Sequence, residues 1–397
     1  MPVWHDTTKQ FVKDGKLVLL GVTQEQHPER CRLFAQWKGF EWPILHDPIN
    51  VLGSSAVPIV LAIDEHGIVR SARPNPKTFE ADFVNKTFAD DAKNAAADPT
   101  PAHPPRFDAL KAAAENGASA PAWRAYGDAL ALWGEEARAS DAVAAYQKAV
   151  ALDPKDGAAW FRLGTALRRR YDAPARAADD FRAAVAAWGT ALDLDPNQYI
   201  WRRRIQQYGP RLDKPYPFYD WVPEAEAAIR ARGEKPVPLP VHPDGAEIAK
   251  PAKAFAGAPG APANPDPNGK IARDPGAVAC EVVTVPAAVK PGDSVRVHLT
   301  FRLAPKGTAH WNNEAEPLRV WIDPPDGGAT SARLVEAEKP AAATSSEARA
   351  VGFEVQVPKD AKGTVRVPAY ALYHLCDDDG GRCRLVRLDV TVEVRVK

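Results

Sequence analysis

The stretch AVAAYQKAVALDP over 142–154 returns as AVAAWGTALDLDP over 184–196, and the reading of that pair fixes the middle of the chain. Ala142, Tyr146, Ala149 and Asp153-Pro154 hold the same offsets as Ala184, Trp188, Ala191 and Asp195-Pro196. A second small and aromatic set opens each unit, Trp123, Tyr126 and Gly127 in the first and Trp160, Leu163 and Gly164 in the second. The spacing predicts paired helices. Alanine and glycine let two helices approach closely, a large ring fills the gap between neighbouring pairs, and proline stops the second helix of each pair. Extra residues around Gly134 to Ser140, and around Tyr171 to Ala178 with Pro174, predict lengthened turns between the paired helices. A third helix is expected to begin at Asn197, which brings the array close to the minimum that buries a shared face.

This pattern resembles the tetratricopeptide repeat, a helix–turn–helix unit of about 34 residues with the same alternation and a terminal proline. The resemblance implies an all-α repeat domain, placed at 107–233, that binds a protein or peptide partner. A helix over 107–115, ended by Asn116-Gly117, leads into it. At the far end, Tyr208 and the run Tyr216-Pro217-Phe218-Tyr219-Asp220-Trp221 gather many rings. They form either a binding platform or the cover of the exposed end of the helical stack. One further helix is expected over 224–232.

Outward toward the N-terminus, 1–95 reads as α/β. The run 16–22 is apolar enough for a buried strand, and Pro28 opens a helix carrying Cys31, Phe34, Ala35 and Lys38. A second strand begins after Trp42-Pro43-Ile44-Leu45, and VPIVLAIDEHGIV over 57–69 gives a strand, a turn and another strand. This order resembles the second half of the thioredoxin-like fold of redoxin and thiol–disulfide reductase families. The resemblance implies a cis proline at Pro58 facing an active site, and an Asp-x-x-Gly turn joining two antiparallel strands. It also implies a strand and a Cys-x-x-Cys helix start ahead of Met1, so the chain as written, which lacks that dithiol, is either an N-terminally truncated form, the favoured expectation, or a domain that has kept the scaffold and lost its chemistry. A sheet lacking that strand exposes an unpaired edge and apolar faces. Cys31, beside Phe34 on one helix face, reads as a packed thiol.

A linker over 96–106, preceded by a polar helix near Phe79 to Phe88, separates this segment from the helices. A second linker over 234–270, rich in Pro, Ala and Gly, reads as an extended tether. Beyond it, 271–397 alternates apolar and polar residues over 281–285, 294–301, 318–322, 352–357, 363–367 and 388–394, broken by Pro- and Gly-rich turns. These predict an antiparallel β-sandwich. A reversal at Asp378-Asp379-Gly380-Gly381 brings Cys376 and Cys383 within bridging distance. The segment resembles the amino-terminal, immunoglobulin-like periplasmic domain of the transmembrane thiol:disulfide interchange protein, whose paired cysteines pass electrons onward. Six residues separate the two cysteines here where that family is expected to have five, and Arg384-Leu385 stands in place of an aromatic-Pro pair. Cys376 and Cys383 are therefore either a redox pair or a structural staple, the latter contributing roughly 2–3 kcal/mol on chain-entropy grounds. Cys280 reads as a buried thiol. His310-Trp311-Asn312-Asn313-Glu314 reads as a polar contact site with a single histidine, short of a metal set.

The chain of 397 residues is too long for one core, and equal numbers of cationic and anionic side chains, 51 each, imply no general attraction to nucleic acid or membrane. Arg168-Arg169-Arg170 and Arg202-Arg203-Arg204 read as solvated helix faces. No apolar run approaches a membrane span, and Met1-Pro2-Val3-Trp4-His5-Asp6 has neither the basic start nor the apolar core of a signal peptide. The resemblances point to a periplasmic or other extracytoplasmic setting. With no phosphate loop and no nucleophile turn, hydrolase, kinase and dehydrogenase chemistry is set aside, and no cofactor or metal is expected. Two functions remain: a component of a thiol–disulfide exchange system whose repeats bind a partner, or a non-catalytic repeat scaffold with inert flanks.

Overall fold

The structure, a computed structural model, describes residues 2–89, 104–214, 216–243, 245–252, 255, 262–305, 307–377 and 382–397. The chain divides into two compact units. The first comprises Met1–Ala177, Thr190–Arg202 and Trp221–His242, and the second Ala178–Gly189, Arg203–Asp220 and Pro243–Lys397.

The first unit begins with α1 (Pro2–Lys13), β1 (Gly21–Thr23), α2 (Pro28–Lys38), β2 (Ile44–His46), β3 (Ala62–Ile63) and β4 (Val69–Ser71). Pro28 starts α2 and Gly39, at φ 64°, ends it, with the Gly39 and Phe40 amides returning to the carbonyls of Gln36 and Ala35. β1 pairs with β2 in parallel and β3 with β4 antiparallel. The buried Asp64 carboxylate closes the β3–β4 turn by accepting from the His66 and Ile68 amides and from Arg70. The Val57–Pro58 peptide is cis, and Pro58 is exposed.

Two strand expectations are corrected here. The ladder holds only Gly21 and Val22 of the run 16–22, and Val18 and Leu20 are 77% and 57% exposed. The run 57–63 contributes only Ala62 and Ile63 to a ladder, leaving Val57, Ile59 and Leu61 exposed. The reason is pairing: each strand pair stands alone, and among the described residues no third strand lies along either one. Strand β2 begins at Ile44, inside the tetrapeptide that was expected to precede it. The polar helix near Phe79 is a single π-turn, Glu80–Val84, with Phe79 buried edge-on against Trp4.

Helices then follow in order as α3 (Phe107–Gly117), α4 (Ala120–Trp133), α5 (Ala139–Leu152), α6 (Gly157–Tyr171), α7 (Asp180–Leu194), α8 (Tyr199–Tyr208) and α9 (Val222–Ala231). Within the first unit α3 packs on α4, α4 on α5 and α5 on α6. Ala142, Tyr146 and Ala149 are buried, as are Ala184, Trp188 and Ala191. Gly127 shows why a small residue is needed, since a Cβ there would lie 2.7 Å from the Tyr146 ring. That ring is fully buried and its hydroxyl donates to Asp128 Oδ1 at 2.9 Å, while Arg162 donates to Asp128 Oδ2 at 2.6 Å. Gly127→Ala should therefore cost about 1–3 kcal/mol of stability in urea unfolding, because the tyrosine is held at both ends. An unchanged midpoint would mean that the helices have room to part.

Three-arginine runs are not simply solvated. Arg168 is buried and grips Asp172 through Nε at 3.0 Å and Nη2 at 2.8 Å, and Arg204 is also buried. An aspartate four residues on converts an apparent surface charge into a packed pair. The aromatic run divides likewise: Trp221 stacks on Trp37 of α2 in the first unit, while in the second Arg203 lies between Tyr216 and Phe218.

The second unit is mostly antiparallel sheet. Its strands are β5 (Val278–Val285), β6 (Ser294–Leu303), β7 (Ala309–Asn312), β8 (Arg319–Ile322), β9 (Ala329–Thr330), β10 (Leu334–Glu336), β11 (Thr344–Ser345), β12 (Arg349–Gln356), β13 (Gly363–Asp377) and β14 (Arg382–Val396). One sheet has the order β5-β6-β12-β9 and the other β10-β8-β13-β7-β11, with β14 along the second edge of β13. Val295, Val297, Leu299, Phe301, Val355, Val367, Ala371, Leu375 and Val392 share one apolar cluster, so both sheets bury their alternate residues together. The Asp-Asp-Gly-Gly reversal lies outside the described residues. The tether expectation is corrected at three points. In the first unit the Val241 carbonyl accepts from Arg30, and in the second Glu247 accepts from Gln207 and Asp266 from Arg387. A Pro-rich stretch thus carries buried carboxylates that tie it down.

Candidate functional site

Strand β13 is paired along its whole length with β14 on one side, and on the other with β8 over Ala369 to Leu372 and β7 over Leu375 to Asp377. At its C-terminal end, Cys376 faces Cys383 of β14 and His310 of β7 in register. Directly opposed residues share a face, so the three form one row. Cys376 and Cys383 are joined as a disulfide with Cα atoms 4.0 Å apart. Their surroundings differ: Cys376 is 6% exposed, whereas Cys383 is exposed, flanked by the exposed Arg382 and Arg384. Arg384 reaches Asp377 at 3.6 Å. The neighbouring core-facing row is apolar, with Leu375 opposite Trp311, whose ring meets Tyr373 edge-on at 5.5 Å. Tyr373 donates to Asp274 at 2.9 Å, and burial raises its hydroxyl pKa.

The two remaining cysteines are separate from this pair. Burial pushes the Cys280 thiol up to about 12, with Glu281 adding to it, and pushes Cys31 up against a hydrogen bond from Thr23 that lowers it. Neither has the character of a ready thiolate. Pro58 belongs to the first unit and the cysteine pair to the second.

The segment from His310 to Glu314 is corrected from a polar contact site to a strand and its turn. Trp311 is buried, and the Asn313 amide is spent on the Ala342 carbonyl, Ser345 and Arg349. Strand β7 was missed because four residues with a histidine and an asparagine at alternate positions give little hydrophobic signal. Its place beside Cys376 is set by pairing partners 64 to 68 residues away in sequence, which no local pattern reports.

A cleft of about 530 Å³ lies farther along β13 and β14, lined in part by Asn264, Asp266, Tyr370, Arg387 and Asp389. Its charges answer one another. Arg387 donates to Asp266 at 2.8 Å and to Asp389 at 2.7 Å and lies 3.7 Å over the Tyr370 ring. Burial opposes ionisation of Asp266, but Arg387 and the Lys270 and Ile271 amides hold its carboxyl below the usual range. This network fixes the preceding segment to the sheet. Among the described residues no group of three or more His, Cys, Asp or Glu is placed to hold a metal ion, and no helix is long and apolar enough to cross a membrane.

No protein-family model matches the chain, and no curated protein matches it. Among solved structures, one described as "AvmM Catalyzes Macrocyclization in Alchivemycin A Biosynthesis" is similar over 30% of this chain and 89% of that chain, at 12% identity and a TM-score of 0.19. A likeness of that size carries no argument about fold or activity.

Proposed function

We propose that the chain is a component of a thiol–disulfide exchange system, in which Cys376 and Cys383 cycle between disulfide and dithiol and a helical array of tetratricopeptide type binds the protein partner. The carrying observation is the unequal exposure of the pair, with Cys383 open to solvent and Cys376 buried beside it. An incoming thiolate meets Cys383 first, which gives the exchange a direction. The resemblance of the last third of the chain to an electron-passing immunoglobulin-like sandwich supports this reading, and so do two antiparallel sheets around one core. The thioredoxin-like reading of the first segment is supported by the Asp64 turn between β3 and β4. Burial of both recurring small and aromatic sets supports the repeat reading, and equally a second function as a partner-binding scaffold whose disulfide is a staple.

Single serine variants separate the two. With thioredoxin reduced to its attacking cysteine and activated by 5-thio-2-nitrobenzoate as probe, Cys376→Ser should form a mixed disulfide through Cys383 with release of thionitrobenzoate, a product reversed by dithiothreitol, and Cys383→Ser should form little. Capture by neither variant, or equally by both, would contradict directional exchange and leave the scaffold reading.

A further inference from the structure

We propose that His310 is the proton donor to Cys376 when the disulfide opens, an inference that rests on the exchange reading above. Attack on Cys383 expels the Cys376 sulfur as a thiolate, and Cys376 is 6% exposed, so the departing charge is poorly solvated. A buried thiolate leaves readily only if it is paired or protonated as it forms. His310 is its neighbour in the ladder on the side away from Cys383. The 4.0 Å Cα separation between the cysteines marks a pair that exchanges no backbone hydrogen bonds. Cys376 therefore directs its backbone groups toward β7 and stands opposite His310 at about 5.5 Å between Cα atoms, within reach of an imidazole on the same face. Imidazole is the side chain whose ordinary titration falls near neutrality.

A thiolate of a protein dithiol bonds to Cys383 Sγ, the Sγ–Sγ bond breaks, and Cys376 Sγ takes the electron pair and a proton from the His310 imidazolium. The partner's second thiolate then attacks its own sulfur in the mixed disulfide and releases Cys383 as a thiolate. The partner leaves oxidised to a disulfide, the pair here is reduced, and His310 regains a proton from solvent. Sharing this face with His310 are Cys376 and, one row along β13, His374; β14 contributes Leu385 beside His374, and β11 contributes Thr344, opposite Asn312. Asp377 and Arg384, paired with each other, alternate to the opposite face.

The test is reduction of the native full chain by dithiothreitol, with the rate corrected for the reagent's thiolate fraction. His310→Gln should slow reduction about 100-fold or more at pH 6, the low end of general acid catalysis, and the deficit should shrink as pH rises. His374→Gln should match the wild type. His310→Asn repeats the measurement should the glutamine variant unfold. A corrected rate within twofold of wild type at pH 6, or a deficit that does not change with pH, would overturn the role of His310 alone. A wild-type disulfide that the reagent leaves intact in the folded chain would overturn the exchange reading as well.

Discussion

Trp188→Ala should destabilise the second unit by about 3–5 kcal/mol, the range of large aromatic truncations in a core. Trp188 is fully buried, stacked on Tyr208 at 5.8 Å with planes 4° apart, and Tyr208 in turn meets Phe181 edge-on at 5.3 Å. The Tyr208 carbonyl lies 2.8 Å from His298 Nε2 of β6, so the cluster ties helical residues of this unit to its sheet. Among the described residues the indole nitrogen has no hydrogen-bond partner, so Trp188→Phe forfeits only volume and should cost well under half as much. Urea unfolding monitored by circular dichroism separates the two variants. Equal costs would mean that the nitrogen, not the ring's bulk, is what matters.

Lys214→Met should stabilise the protein by roughly 2–3 kcal/mol at pH 7. Lys214 is 4% exposed, and its ammonium has no hydrogen-bond partner among the described residues. Burial lowers its pKa from 10.5 to about 8, with repulsion from Arg296 adding to that and Glu354 and Glu247 opposing it. A folded value below the unfolded one means that the unfolded chain binds more protons between those limits, so wild-type stability rises as pH climbs from about 8 to 10.5. At about 1.36 kcal/mol per pH decade, this gap sets a ceiling near 3 kcal/mol. Methionine is of similar length and apolar, and it removes the charge that sits 5.8 Å from the Phe218 ring centre. The variant's stability should lack the alkaline rise. A wild type no more stable at pH 10 than at pH 8 would show that the ammonium is solvated.

The helical middle was legible because small and aromatic residues at fixed offsets encode one physical fact, close approach around a ring, and Gly127 against Tyr146 is that contact. The terminal strands were legible from period-two alternation, as in β6 and β14. The N-terminal strands were misjudged because an apolar run states what a residue would bury, not whether a layer exists to bury it; Val18 and Ile59 find none. Buried charge was likewise hidden. Asp266 is made part of the sheet domain by Arg387, 121 residues away, and composition alone marks its segment as a tether. In the candidate site the two cysteines were visible from their spacing, but their unequal exposure and the row through His310 arise from β7, whose partners are set by topology.

The reduction potential of the Cys376–Cys383 pair, measured on the folded chain against a glutathione or dithiothreitol buffer series, bears most directly on the exchange function. A pair that is attacked at exposed Cys383 and works as a carrier should equilibrate at a potential above about −300 mV. A value below that limit, in the range of inert structural bridges, would contradict exchange and leave the disulfide as a structural staple.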